Sequence, residues 1–129
     1  MTKESTVLTI YILCFAEGSI NHLFDFMQGG WTPYHLGPSF LRVFWTLLVI
    51  LDPAVIGLLI FGWRRIGLLA ACSLMLADVA ANSYASFALH YQGFAVALPL
   101  QTLFLGFVLG SAAFLWPSPA MPKGTPIPA

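Results

Sequence analysis

Glu17, Asp25, Asp52 and Asp78 lie within or at the edge of long apolar runs, whereas Lys3, Arg42, Arg64, Arg65 and Lys123 lie outside them. An ionisable side chain in hydrocarbon is costly, which makes four acids in apolar segments a functional-site hypothesis. Counting about 1.5 Å of rise per residue along each predicted helix, Glu17, Asp52 and Asp78 reach one level near the bilayer centre. His22, Asn82 and Gln101 form a second layer about one turn outward, and Asp25 lies one turn beyond His22 on the same face. Asp78, Asn82 and Ser86 share a stripe at i, i+4 and i+8, and Trp45, seven residues before Asp52, shares its face. Three carboxyl groups at one depth cannot all be ionised without a cation. At least two are therefore expected to be protonated when the site is empty. That chemistry suits proton donation, proton exchange or capture of a cationic ligand. His22 and Asp25 are the candidate catalytic acid–base pair, the carboxylate orienting the ring. Glu17, Trp45, Asp52, Asp78, Asn82 and Gln101 are the candidate ligand-binding residues.

The elements that must position these groups follow from composition. The chain has 129 residues, of which 59% are hydrophobic and 8% charged. A soluble domain carries about 25% charged residues, so this chain could not cover a water-facing surface. Its length accommodates four spans of about 20 apolar residues each. The pattern predicts helices over 6–28, 40–63, 66–91 and 94–116, punctuated by Gly29-Gly30, Pro33, Pro38, Arg64-Arg65 and Gln92-Gly93. The expected fold is all-α, a polytopic integral membrane four-helix bundle forming one domain over 1–116. A proline-rich tail over 117–129 is expected to be disordered. The N-terminus reads as a retained first helix rather than a cleaved signal. With four spans, Lys3, Arg64, Arg65 and Lys123 share one side and Arg42 takes the other, which places both termini in the cytoplasm. Trp31, Tyr34 and Tyr91 would then mark the outer interface.

Two prolines bear on the polar layer. Pro53, directly after Asp52, removes a helical donor and is expected to leave the Val49 carbonyl bare. Pro99, two residues before Gln101, is expected to open helix 4 in the same way. Gly106 and Gly110 form GxxxG, and Ala77, Ala81 and Ala85 form a small-residue stripe. Both permit close helix approach within one chain or between two, so a homodimer is an expected possibility. Cys14 and Cys72 sit in apolar segments with no CxxC pair and read as inert thiols. There is no HExxH-like motif, no phosphate loop and no basic patch. No metal, cofactor or nucleic acid is therefore expected, and the expected partners are the lipid bilayer and a lipophilic or cationic small molecule.

The segment Asn21-His22-Leu23-Phe24-Asp25, the proline within helix 2 and the polar stripe of helix 3 resemble the EXPERA group of emopamil-binding and sigma-type membrane proteins, over about Leu13 to Trp116. The resemblance implies helices around a pocket entered from the bilayer. It puts His22 and Asp25 there as proton donor and cation stabiliser. The spacing of that pair and the shorter loops depart from the group. Phe15-Ala16-Glu17-Gly18 also resembles the membrane-embedded glutamate of small multidrug-resistance transporters, although acids in the later helices do not fit that family. Three functions are thus expected in order: a pocket for a lipophilic or cationic small molecule, extending to proton-transfer isomerisation of a lipid-like substrate; a proton-coupled transporter; and a structural subunit of a membrane complex.

Overall fold

A computed structural model describes residues 1–118. It contains four α-helices, α1 (Lys3–Gly29), α2 (Ser39–Ile60), α3 (Arg64–Phe87) and α4 (Ala97–Leu115), with a short 3₁₀ turn at Gln92–Phe94. Each α-helix is long and apolar enough to cross a membrane. The Pro-rich tail expectation falls mainly on residues 119–129, outside the described residues.

Local signals set the helix ends. Thr2 caps α1 by accepting from the Ser5 amide at 3.1 Å, so the helix begins at Lys3 rather than Thr6. Gly30, at φ 63°, ends it. Gly62, at φ 84°, turns the chain between α2 and α3. α3 stops at Phe87, short of Tyr91, and His90 adopts φ 55° in the following turn. Pro99 stands in the first turn of α4, where no helical amide is required, so it does not break that helix. α2 likewise runs through Pro53 as one helix.

Packing follows a heptad-like seam, fullest on α2 and α3. The buried positions of α2 are Leu41, Trp45, Leu48, Asp52, Val55 and Leu59, and those of α3 include Leu68, Ala71, Met75, Asp78, Asn82 and Ala85. Alternating steps of three and four keep one face inward. Consecutive helices pack side by side, and α1 and α4 also touch, more sparingly than their neighbours do.

The interior is layered. One apolar cluster, around Tyr11, Phe15, Val55, Leu59, Leu68 and Val108, fills the end nearer the N-terminus. Another, Leu41, Trp45, Leu48 and Ala85, fills the opposite end. Between them lie the buried polar residues Asp52, Asp78 and Asn82. At the N-terminal end, Arg64 pairs with Glu4 at 2.9 Å and Arg65 reaches the Pro117 carbonyl at 3.4 Å. These contacts gather the start of α1, the α2–α3 turn and the end of α4. The outward faces carry Ile20, Phe24, Val43, Ile50, Leu69, Leu103 and Phe114, all exposed. An apolar exterior of that extent matches a lipid-facing surface and would be anomalous in water.

Candidate functional site

The acids of three helices border one cavity at mid-height. Its volume is about 280 Å³, and Glu17, Gly18, His22, Asp52, Asp78 and Gln101 line it together with Leu13, Phe15, Met75, Leu100 and Phe104. Most of its lining comes from α1 and α4, the least tightly packed adjoining pair, and the cavity is partly open. Among the described residues no Lys or Arg lines it.

Seam register explains each position. On α1 the inward series Tyr11, Phe15, Gly18, His22 and Asp25 repeats the four–three spacing. Gly18 holds the slot facing Asp52, and a β-carbon there would meet Asp52 Oδ2 at 2.8 Å. Glu17 is one residue off that seam, about 100° around the helix. It is exposed and hydrogen-bonds Asn21. Glu17 is thus a rim residue, whereas Asp52 and Asp78 occupy inward seam positions, at 6% and 7% exposure.

Two polar chains leave this layer. In the first, the Asn82 amide donates to Gln101 Oε1 at 2.7 Å and to Asp78 Oδ1 at 3.2 Å, while its oxygen accepts from Trp45 Nε1 at 2.8 Å. Asn82 thereby ties α2, α3 and α4 together. Trp45 does not reach the central cavity and instead backs a second one nearer the α1–α2 loop.

The second chain runs through a residue that sequence reasoning assigned to the interface. Tyr34 donates to Asp25 Oδ2 at 2.7 Å, and its oxygen lies 3.1 Å from His22 Nδ1. His22 and Asp25 are therefore joined through a phenol, and they face different cavities. Tyr34 has a single proton, and it goes to Asp25. Its oxygen can then only accept from His22, which places the imidazole hydrogen on Nδ1. His22 Nε2 lies 4.0 Å from Asp52 Oδ2, and in the neutral form of this tautomer it carries no hydrogen. Burial first, then the hydrogen bond and charge of Asp25, push the Tyr34 phenol above its ordinary range. Tyr34 accordingly stays a neutral donor.

Two further expectations resolve locally. Ser86 lies on the Asp78 stripe, but its hydroxyl is buried without a hydrogen-bond partner among the described residues. Gly106 and Gly110 have no described residue within 4 Å of a β-carbon position, so GxxxG makes no close contact among the described residues. Among the described residues, no three His, Cys, Asp or Glu side chains are grouped to hold a metal ion. Tyr34 and Gly18 were not candidates from sequence. Seam counting from Tyr11 and Phe15 could have found Gly18, whereas a loop tyrosine carries no periodic signal. No family model, curated protein or solved structure matches the chain.

Proposed function

We propose that this chain is a small multi-pass membrane protein that binds a cationic amphiphile, seating its amine head in the central cavity and leaving its apolar tail between α1 and α4. One observation carries the reading: Glu17, Asp52 and Asp78 border one cavity that no Lys or Arg among the described residues lines. Carboxyl groups gathered without a counter-ion favour a cation, which would let them ionise together. Leu13, Phe15, Met75, Leu100 and Phe104 supply apolar walls for carbon next to the amine. The volume, about 280 Å³, is at the small end for ligand sites, which fits a head group better than a whole lipid. This is the cation chemistry that the EXPERA resemblance implies, and both termini face the cytoplasm in this reading.

The same geometry permits acid–base work. With Nδ1 held by Tyr34, His22 turns Nε2 toward Asp52, so one proton can reside on either partner beside a bound substrate. Proton-transfer isomerisation of a lipid-like amphiphile extends the binding reading. Proton-coupled transport is the second reading, favoured by the polar chain from Asp52 through His22 and Tyr34 to Asp25.

The test uses the full chain in phosphatidylethanolamine nanodiscs with N,N-dimethyldodecylamine as probe and dodecanol as its uncharged counterpart. The amine is expected to bind and dodecanol to fail. Asp52→Asn and Asp78→Asn should each weaken the amine roughly tenfold, the scale of a lost charged hydrogen bond. Equal binding of both probes, or full affinity in both variants, would overturn the reading. Proteoliposomes with an imposed pH gradient separate transport, which requires amine flux driven by that gradient.

A further inference from the structure

The second cavity, of about 440 Å³, lies at the loop end of the bundle and differs in chemistry from the first. Tyr34, Trp45, Phe94 and Tyr91 line it, with Asp25 as its carboxylate. The four rings form a continuous run. Centroids are 5.4 Å apart from Tyr34 to Trp45, 5.5 Å from Trp45 to Phe94 and 5.2 Å from Phe94 to Tyr91. The rings come from the α1–α2 loop, α2 and the α3–α4 connection, so the fold, not one local segment, assembles them. The Oδ2 atom of Asp25 is engaged by Tyr34. Among the described residues no Lys or Arg lines the cavity, and His35, which does, is exposed.

We infer that this cavity is a binding site for a quaternary ammonium group, a trimethylammonium above all. Such a cation has no N–H to donate and gains nothing from a ring of acceptors. It is attracted by aromatic rings and by one diffuse negative charge, and four rings and the Asp25 carboxylate line this wall. An ammonium that keeps an N–H needs an acceptor close at hand, and the central cavity, with Glu17, Asp52, Asp78 and Gln101, supplies such groups instead. The two cavities therefore divide cations by substitution at nitrogen. The occupant of the loop-end site is either a soluble choline-like cation or the head group of a choline lipid, since the chemistry presented to the cage is the same. The inference does not depend on the amine-binding function proposed for the central cavity.

The experiment places the full chain in choline-free phosphatidylethanolamine nanodiscs and follows choline by saturation-transfer NMR of its methyl protons. The uncharged isostere 3,3-dimethyl-1-butanol is the control. Choline is expected to bind and the isostere to be at least about fivefold weaker, the scale of a cation–aromatic contact. Asp25→Asn and Phe94→Leu are each expected to lower choline affinity by a similar factor. In a second arm, phosphatidylcholine is mixed into the discs. Lipid retained through extraction in a choline-free detergent is then identified by mass spectrometry. Choline binding identifies a soluble-cation site, and retention of phosphatidylcholine that is lost in Phe94→Leu identifies a lipid head-group site; either supports the inference. Absence of both, equal binding of the isostere, or unchanged affinity in both variants overturns it. Dimethyldodecylamine binding, read in the same sample, should survive Phe94→Leu and weaken in Asp52→Asn, so failure at either cavity is separately visible.

Discussion

Gly18 and Asp52 approach so closely that a methyl group on Gly18 would stand 2.8 Å from the Asp52 carboxylate oxygen. α1 can lie against α2 at this level because its seam position has no side chain. Gly18→Ala should therefore destabilise the bundle by about 1–3 kcal/mol, the usual range for overpacking, despite alanine's better helix propensity. Thermal unfolding in detergent measures it. Gly18→Ala combined with Asp52→Ala should recover part of the loss, since the clash is with that side chain alone. Strict additivity of the two changes would refute the contact.

Tyr34 sets the tautomer of His22. In the wild-type chain the neutral imidazole should carry its hydrogen on Nδ1. Nitrogen-15 shifts of labelled histidine report this directly. Tyr34→Phe removes the acceptor, so the hydrogen should redistribute toward Nε2, with about 1 kcal/mol lost in stability. An unchanged tautomer in that variant would rule out the assignment.

Asn82 serves three partners at once: Trp45, Asp78 and Gln101. Asn82→Leu leaves buried polar groups unpaired, at about 1–3 kcal/mol each. Trp45→Phe deletes one donor and should cost distinctly less than Asn82→Leu. Denaturation midpoints of the two variants decide the order, and a larger loss for Trp45→Phe would contradict the network.

Tyr34 also gives stability a pH dependence. Its phenol titrates higher in the folded chain than in the unfolded one. The neutral form is favoured by folding, and this contribution is fully present below about pH 10, the unfolded value. It declines as pH rises beyond that. Unfolding free energy should fall more steeply above about pH 10 in wild type than in Tyr34→Phe. Parallel curves would place Tyr34 in a solvent-like setting.

Gly106 and Gly110 face open space. Gly106→Leu should leave the unfolding transition within about 0.5 kcal/mol of wild type. If the chain pairs through this face, the loss appears only in the oligomer measured by crosslinking. A large drop in the stability of the single chain would show an intrachain contact there.

The bundle was legible because each helix is a long apolar run, with a continuous inward series on α2 and α3, and the turns carry Gly or Pro. The inward placement of Asp52 and Asp78 was legible for the same reason: they interrupt seams made mostly of Leu, Val, Ala and Met. Glu17 was harder. Depth alone put it level with the other acids, but the register turns it about 100° from the seam, which leaves it on the rim. Trp45 shares a face with Asp52, yet its length along α2 takes it into the other cavity. The link between His22 and Asp25 was not legible, because it depends on where the α1–α2 loop folds back and delivers the Tyr34 hydroxyl.

The sparing contact between α1 and α4 bears on how affinity should be expressed. A ligand that approaches between these helices comes from the bilayer, where its concentration is fixed by partitioning. Each added methylene favours the membrane by about 0.8 kcal/mol, or nearly fourfold. Apparent affinity referred to the aqueous phase should then climb with tail length while affinity per membrane mole fraction stays flat. Potency across a homologous series would rank solubility in lipid, and the cavity's own preference would emerge only after that ranking is divided out.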